Sequence, residues 1–186
     1  MFKNQKNRIR YTFFGIAVLS FLVFSCSSDV DFDQADNFSI EPIIVSNLAS
    51  FDVMANQFVT GGVEQRQFED VLNFDLFKDS FFKSNLTKVA FFFEFNNTIN
   101  RDYIIDLVLL DSGDIPIYTV SIPVAAYTGV NTLVTHTELF ENNLNILTST
   151  RKMSFTISLL PGTLLTEASP GSLKLRSNIT AYFKVE

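Results

Sequence analysis

The side chains that most often carry enzyme chemistry are scarce in this chain of 186 residues. It contains one histidine, His136, and one cysteine, Cys26. A nucleophilic triad needs a base beside an activated nucleophile, and a structural zinc site needs several thiol or imidazole ligands. Gly61-Gly62 lacks the lysine that follows the glycines of a phosphate-binding loop. We therefore predict a structural role for His136, no catalytic residue and no cofactor.

Paired carboxylates would be enough for glycoside hydrolysis, which needs only two acidic side chains. Among the 20 acidic residues, Glu94 and Asp106 are the candidates because each lies within an apolar segment. Both alternate with apolar neighbours, which favours positions on the solvent-facing side of a strand. There is no tryptophan, and the tyrosines that could form an aromatic platform for a sugar are Tyr103, Tyr118, Tyr127 and Tyr182. We therefore predict that the protein is not an enzyme.

Clustered oxygen atoms can bind calcium, and the segment Asp111-Ser112-Gly113-Asp114 has part of the required composition. It lacks the length and the distal glutamate of an EF-hand loop. Its position between two apolar segments favours a hairpin turn instead. We therefore predict no metal site.

Cys26 follows a segment that is typical of a secretion signal. Residues 1–10 are polar and basic, and Tyr11–Phe24 is an apolar run of 14 residues. That length suits a signal peptide and is shorter than the roughly 20 residues that a membrane-spanning helix needs. An uncleaved N-terminal membrane anchor is the alternative. As the single cysteine, Cys26 cannot form an internal disulfide and is available for modification.

The sequence Val23-Phe24-Ser25-Cys26 resembles the lipobox of bacterial lipoproteins, in which a small residue precedes the cysteine. Val23 and Phe24 depart from the residues that are usual at their positions. The resemblance implies that residues 1–25 are a signal peptide and that Cys26 carries the lipid. Several acyl chains on one cysteine would hold the protein on a membrane, because each buried methylene contributes roughly 0.8 kcal/mol.

Residues 26–37 would then comprise the lipidated cysteine and an acidic tether. The acidic residues of this segment are Asp29, Asp31, Asp33 and Asp36. The segment and the Phe-, Asn- and Ile-rich composition resemble outer-membrane lipoproteins of Bacteroidota, of the flavobacterial type in particular, whose activities are undefined. The resemblance implies a protein anchored by lipid to the outer membrane, on its periplasmic or its cell-surface face. A plain solvated linker is the alternative interpretation.

The charge balance bears on the partners. Removal of residues 1–25 would take away four of the 14 basic residues and none of the 20 acidic residues, leaving a formal charge of −10. Nucleic acid binding requires a basic surface, so we predict no nucleic acid partner. Anionic lipid headgroups would also repel such a surface, so the lipid on Cys26 is the predicted membrane contact.

Residues 38–186 show the alternation of apolar and polar side chains that is typical of antiparallel strands with one solvated face. The clearest case is Ser172–Glu186, in which Ser177 alone breaks the apolar row. Tyr103–Leu110 and Ile115–Ala125 flank the predicted turn at Asp111–Asp114. The remaining strand candidates are Phe38–Ser46, Ser50–Asn56, Phe68–Leu76, Thr87–Phe95 and Met153–Leu160. About eight short strands predict an all-β, antiparallel β-sandwich of immunoglobulin-like kind, with a closed barrel as the alternative.

One short helix is predicted near residues 137–149. Phe140, Leu144 and Leu147 have helical spacing, and Thr135 and Glu138 match a capping box. Residues 77–85 are predicted to form a loop or a short helical turn. The runs Phe91–Phe93 and Phe81-Phe82 could form a binding patch, although a Phe-rich core accounts for them better.

These observations predict a lipid-anchored protein of the cell envelope that acts as a non-catalytic accessory, adhesion or scaffold component. The alternative is a surface lipoprotein that binds a glycan or solute for an outer-membrane transporter. Its partners would be the membrane, through the lipid on Cys26, and an envelope protein or a glycan. A scaffold should expose an apolar edge or face, a glycan binder a concave patch with exposed aromatics, and a hydrolase two facing carboxylates.

Overall fold

The computed structural model describes residues 39–131 and 133–185, which belong to one compact unit. The predicted signal peptide at residues 1–25 and the predicted lipidated cysteine and tether at residues 26–37 lie outside the described residues. Within the described ranges, no helix has the length and apolar character needed to cross a membrane.

The described residues form ten strands, two short α-helices and one turn of 3-10 helix. In chain order they are β1 Ile43–Met54, the 3-10 helix Ala55–Phe58, β2 Val59–Thr60, β3 Val63–Glu64, β4 Gln67–Asn73, α1 Ser80–Asn85, β5 Leu86–Asn97, β6 Tyr103–Leu110, β7 Pro116–Val124, β8 Leu133–Phe140, α2 Leu144–Ser149, β9 Lys152–Leu159 and β10 Ser172–Phe183. A first sheet has the strand order β1-β10-β5-β8, and a second has the order β4-β9-β6-β7. The strands β2 and β3 form a separate small hairpin.

The eight long strands are arranged like one long hairpin that is folded over itself. β1 pairs with β10, β4 with β9, β5 with β8 and β6 with β7, so the pairs are nested about the β6–β7 turn. Every connection between successive long strands, except that turn, crosses from one sheet to the other. Eight strands in two antiparallel sheets with these connections form a jelly roll.

The antiparallel β-sandwich that the sequence predicts is confirmed. Its connections differ from the immunoglobulin-like order that we predicted, and the edge strands of the two sheets do not pair as they would in a closed barrel. Alternation of side chains indicates which face of a strand is buried, but it does not indicate which strands pair. Here the decisive pairing joins the two ends of the domain, since Ile43 lies opposite Tyr182.

The core lies between the two sheets and is rich in phenylalanine. In β5, Phe91, Phe93 and Phe95 are fully buried, whereas Phe92 points to the other side of the sheet. Burial of one phenylalanine side chain contributes roughly 1.5–3 kcal/mol, so this strand alone supplies a large part of the hydrophobic stabilisation. Phe82 packs against Phe183 with ring centres 5.3 Å apart, and it lies at the margin of the same core.

The predicted helix near 137–149 is correct only in its second half. Helix α2 begins at Leu144 and ends at Ser149, and residues 137–140 belong to the end of β8. Thr135 and Glu138 therefore do not form a capping box, because both lie within that strand. The β-branched residues of the segment favour a strand, and its pairing with β5 along the whole length overrides the helical spacing. Helix α1, by contrast, lies where the sequence predicts a loop or helical turn.

Ser177, the polar residue in the apolar row of β10, lies opposite an irregularity of the neighbouring strand. The register between β1 and β10 shifts between Asn47 and Ser50. There the Ser177 hydroxyl accepts from the Ala49 backbone N–H at 2.9 Å and donates to the Ala49 carbonyl at 2.7 Å. The side chain thus replaces the ladder hydrogen bonds that the bulge removes.

Candidate interaction surface

The outer face of the first sheet is formed by the residues that alternate with the core positions. Val89, Phe91 and Phe93 of β5 are buried, so Ala90 and Phe92 lie on the opposite side of the strand. The strand register places two rows of outward residues next to each other: Val45, Thr180, Ala90 and Leu139, and then Asn47, Asn178, Phe92 and Thr137. An adjoining row begins with Ile43 and Tyr182. We call the set Ile43, Val45, Ala90, Phe92, Leu139 and Tyr182 the apolar face.

The apolar face is exposed mainly at its two edges. Ile43 and Val45 on β1 are 60% and 66% exposed, and Leu139 on β8 is 51% exposed. Ala90, Phe92 and Tyr182 on the two central strands are half-buried by their neighbours. The two rows of four residues that cross the sheet contain no charged side chain. This combination of exposure and neutrality is uncommon on the surface of a strongly acidic protein.

Charged side chains border the apolar face at both ends, and at one of these ends they are paired with opposite charges. At one end the Lys88 ammonium lies 4.3 Å from the centre of the Tyr182 ring. At the other end Lys174 Nζ lies 3.0 Å from Asp52 Oδ2, and the next row places Arg176 beside Glu94. The acidic excess of the protein therefore lies elsewhere, and this face carries little net charge.

Among the residues that the structure describes, the N-terminal half of β1, Ile43–Asn47, is an open sheet edge, which we call the β1 edge. On its other side this strand pairs with β10 alone. Ile44 points toward the core side with Ala181, yet it is 46% exposed. The segment from Ile43 to Phe51 contains neither a charged residue nor a proline, which are two of the devices that usually protect an edge strand.

A polar cluster closes the opposite side of the sandwich, where β7 and β8 approach each other. The Tyr118 hydroxyl donates a hydrogen bond to Glu138 Oε1, and His136 Nε2 lies 3.0 Å from Glu138 Oε2. The bond to Glu138 is the largest of the causes that raise the pKa of Tyr118 to about 12. The His136 ring also stacks on Phe93, with ring centres 6.5 Å apart. The hydrogen bond between Tyr118 and Glu138 thus crosses the gap between the two sheets, whereas the contacts of His136 with Glu138 and Phe93 lie within the first sheet.

A buried ion pair joins the loops at one end of the sandwich. Arg101 and Glu64 have side chains that are 5% and 6% exposed, and their atoms Nη2 and Oε1 are 2.8 Å apart. Glu64 also accepts from the Leu165 backbone N–H at 2.7 Å, and Arg101 donates to the Thr163 carbonyl. The pair therefore connects the small β2–β3 hairpin with the β5–β6 and β9–β10 loops.

Tyr103 cannot serve as an aromatic platform, because its side chain is fully buried. Its hydroxyl has no hydrogen-bond partner in the described part of the chain, and burial raises the pKa of this group well above its ordinary value. The nearby Arg101 opposes this increase, and Glu64 adds to it. Of the four tyrosines that the sequence proposes for a platform, Tyr182 lines a cleft of about 240 Å³ beside Lys88, and Tyr127 lines a larger cleft in the loops.

That cleft has a volume of about 410 Å³ and lies between the β5–β6, β7–β8 and β9–β10 loops. Tyr127 is half-buried in its wall, and Leu164 is largely exposed. The polar groups that line it include Asn100 and Ser169. The cleft offers one aromatic ring instead of the two or more that the sequence analysis requires of a glycan binder.

The candidate carboxylates Glu94 and Asp106 are not brought together. Glu94 lies on the outer face of the first sheet, and Asp106 lies on the outer face of the second, where it accepts from the Ser121 hydroxyl. The two side chains point away from each other across the whole sandwich. In the described ranges, no group of three or more His, Cys, Asp and Glu side chains is placed to hold a metal ion.

The segment Asp111–Asp114 forms the turn between β6 and β7. Asp111 Oδ1 accepts from the backbone N–H groups of Gly113 at 2.7 Å and Ile115 at 3.0 Å. Asp114 has a positive φ of 61° and accepts from Lys152 Nζ at 2.6 Å. The Asp111 carboxylate is therefore used by the turn, as is common in hairpin connections, and the Asp114 carboxylate pairs with a lysine of β9.

The sequence analysis did not bring together the residues of either polar cluster. Glu64 and Arg101 lie far apart in the chain, and neither has a local motif that would indicate its partner. Glu138 was assigned to a helix cap, although it lies two residues before Phe140 and four after Val134, a period that places it on the same face of a strand as these two apolar residues.

No protein-family model matches this chain, and no curated protein is significantly similar to it. Among solved structures, it is similar to the VP2 subviral particle of infectious bursal disease virus, with a TM-score of 0.42 and 12% identity over 76% of this chain and 32% of that one. A candidate secreted protein from Parabacteroides distasonis gives a TM-score of 0.43 and 14% identity over 61% and 36% of the two chains. The enzymatically active domain of tailspike protein 4 of bacteriophage CBA120 gives a TM-score of 0.38 and 7% identity, over 76% of this chain and 19% of that one. The chain thus spans about a third or less of each of these proteins.

Proposed function

We propose that this protein is a lipid-anchored component of the bacterial outer membrane that acts through protein contacts, as an accessory, adhesion or scaffold component, and catalyses no reaction. The observation that carries the proposal is the apolar face of the first sheet. It exposes Ile43, Val45 and Leu139 around an uncharged centre, whereas a hydrolase would need facing carboxylates in a cleft. An exposed apolar surface of this kind is typical of a protein-binding site.

The separation of Glu94 from Asp106 supports the non-catalytic part of the proposal. The side chains with the most catalytic potential, His136, Glu138 and Tyr118, bind one another between the two sheets. The proposed anchor rests on Cys26 and on the apolar run before it, both of which are features of the sequence alone.

The anchor is tested by metabolic labelling with a fatty-acid analogue. We expect the wild-type protein to be labelled and to fractionate with the outer membrane, and we expect Cys26→Ala to remain unlabelled. Equal labelling of the two proteins would show that Cys26 is not the acceptor. Surface proteolysis of intact cells would then distinguish the cell-surface face of the membrane from the periplasmic face.

The interaction role is tested by photo-crosslinking in intact cells. A photoreactive amino acid at position 45 would lie in the apolar face, and one at Thr119 would lie at a matched exposed position on an edge strand of the second sheet. We expect discrete protein adducts from position 45 and none from position 119. Adducts of equal yield from both positions, or none from either, would contradict a role of the apolar face in protein contacts.

Binding of a glycan or solute is the second candidate function, and the loop cleft around Tyr127 favours it. A stacked aromatic ring with neighbouring amide and hydroxyl groups is suited to the flat face of a sugar. If this role is correct, the wild-type protein should be retained on immobilised polysaccharide, and at most half as much of the Tyr127→Ala variant should be retained. Unchanged retention of Tyr127→Ala, or no retention of the wild type, would exclude the cleft as the binding site.

A further inference from the structure

We propose that two copies of this chain pair antiparallel through their β1 edges, so that their first sheets join into one continuous sheet of eight strands. The inference deepens the proposed function, because it names a partner for the surface on which that function rests. The evidence comes from the backbone of β1, from the exposure of its side chains and from the distribution of charge.

The backbone of the β1 edge has unpaired groups at regular intervals. The Pro42 carbonyl accepts from the Phe183 N–H, and Ile40 exchanges two hydrogen bonds with Val185, so both residues point toward β10. Backbone groups of successive residues in an antiparallel strand point to opposite sides. The N–H and C=O groups of Ile43, Val45 and Asn47 therefore point away from β10, toward the open edge.

Pro42 does not block this edge. A proline usually protects an edge strand by removing a donor from it. Here the carbonyl of Pro42 shows that the residue faces β10, so the missing N–H lies on the side that is already paired. On the free side of β1, the backbone groups of Ile43 and Val45 and the Asn47 N–H have no partner among the described residues, and the Asn47 carbonyl accepts one hydrogen bond, from the Ser46 hydroxyl at 3.3 Å.

The apolar side chains of the β1 edge are exposed on both faces of the strand. Ile43 and Val45 lie on the outer face, and Ile44 lies on the core side, where it is only partly covered. A strand added beside β1 would therefore cover apolar side chains on both of its faces as well as pair its backbone. In strand addition, main-chain hydrogen bonds supply affinity and contacts of alternate side chains supply specificity, and this edge offers both.

The charge distribution favours a second copy of the same chain. Two strongly acidic domains repel each other, so they can meet only through a neutral surface. Between Glu41 and Asp52 the strand carries no charge. A two-fold axis at Val45 places Val45 opposite Val45 of the second copy and Ile43 opposite Asn47, and it places Glu41 opposite Ala49, so no carboxylates face each other.

This register also matches the hydrogen-bonding pattern. Ile43, Val45 and Asn47 all have outward-pointing backbone groups, and each facing pair would exchange two N–H···O bonds with a Cα–Cα distance of about 5.5 Å. A two-fold contact that uses the same residues on both copies closes on itself and yields a dimer instead of a fibre. The bulge between Asn47 and Ser50 ends the straight segment and limits the pairing to this half of β1.

A contact of five residues is small, and the area that it buries falls below the roughly 1,200 Å² of a typical stable complex. The pairing is therefore weak between free domains in dilute solution. Confinement of both copies to one membrane surface would raise their effective concentration and favour the dimer. For this reason the test uses the full chain in intact cells.

The experiment uses introduced cysteines and a mild oxidant. Val45→Cys should form a disulfide dimer, because the expected Cα–Cα distance of about 5.5 Å lies within the range for disulfides. Leu139→Cys, at a similarly exposed position on the other edge of the same sheet, is the matched control, and the wild-type protein gives the background from Cys26. We expect several-fold more dimer from Val45→Cys than from Leu139→Cys.

The register is tested by coexpressing two differently tagged copies. Ile43→Cys in one copy and Asn47→Cys in the other should crosslink to each other several-fold more than either does to itself. Equal dimer yields at positions 45 and 139, or no preference for the mixed pair, would overturn the proposed pairing. If photo-adducts to other envelope proteins persisted at position 45 in that case, the proposed interaction role would stand without the dimer.

Discussion

The buried ion pair between Arg101 and Glu64 provides the sharpest test of how this fold is held together. Replacement of Glu64 by alanine would leave the Arg101 guanidinium buried without its partner, and it would leave the Leu165 N–H without an acceptor. Breaking a buried ion pair from one side costs about 3–5 kcal/mol, and an unsatisfied buried donor costs about 1–3 kcal/mol. We therefore expect Glu64→Ala to lower the free energy of unfolding by at least about 4 kcal/mol.

That loss is large compared with the roughly 5–15 kcal/mol by which a domain is stable, so the variant should be close to unfolding at room temperature. Arg101→Met should lose about 3–5 kcal/mol by the same reasoning, because it isolates the Glu64 carboxylate. The double variant Arg101→Met, Glu64→Leu removes both charges and fills their volume with apolar atoms. It should be more stable than either single variant, since neither charge is then left buried alone.

Urea unfolding followed by circular dichroism and by tyrosine fluorescence would measure these differences, because the chain contains no tryptophan. Lys174→Ala is the control, since its ion pair with Asp52 is exposed to solvent and should contribute less than about 1 kcal/mol. If Glu64→Ala and Lys174→Ala were equally stable, or if the effects of the two buried residues simply added, the loops would not be held by this pair.

Three further predictions concern the bulge, a glycine and the β7–β8 cluster. Ser177→Ala should lower the free energy of unfolding by about 1–3 kcal/mol, because both backbone groups of Ala49 lose their partner. Ser46→Ala, at an exposed position, should change it by no more than about 0.5 kcal/mol in the same urea assay. Gly171→Ala should be more destabilising than Gly62→Ala in thermal unfolding: both have positive φ, but a Cβ at Gly171 would lie 2.3 Å from the Thr98 carbonyl oxygen, and one at Gly62 would meet nothing within 4 Å. Equal melting temperatures would show that the close approach is absent. The raised pKa of Tyr118, about 12, means that the folded state holds the hydroxyl proton more tightly than the unfolded state does. The free energy of unfolding of the wild type should therefore fall between about pH 10 and pH 12, and Tyr118 should not affect it below about pH 10. Tyr118→Phe should show a shallower decline in urea unfolding across that interval, and an unchanged slope would contradict the hydrogen bond to Glu138.

The sequence predicts the faces of the strands better than it predicts their partners. The alternation in β5 and β10 correctly indicates which side chains are buried, because burial of one face requires that period. The serine at position 177 marks an irregularity correctly, although the bulge itself lies in β1. The pairing of β1 with β10 could not be deduced, because it is decided by the packing of the whole domain and by no local signal.

The candidate surface was equally hard to predict. Val45, Ala90 and Leu139 are far apart in sequence, and only the register across three strand pairs places them in one row. Glu138 was assigned to the start of a helix because the spacing of Phe140, Leu144 and Leu147 is helical. That spacing arises where a strand ends and a short helix begins, and a single sequence gives no means of separating the two.

The nested order of strands has a consequence for how the chain reaches its native state. β10 lies between β1 and β5 and pairs with both, so the first sheet has a gap at its centre until the final strand is in place. A chain that emerges from a secretion channel with its N-terminus first would hold β1 and β5 without their common neighbour until Ser172–Phe183 has crossed. Pairings between such distant segments form slowly, and the apolar strands that wait for them are prone to aggregate. If the protein is exported as we propose, its export should therefore depend on a periplasmic holding factor more strongly than export of a domain whose neighbouring strands are consecutive.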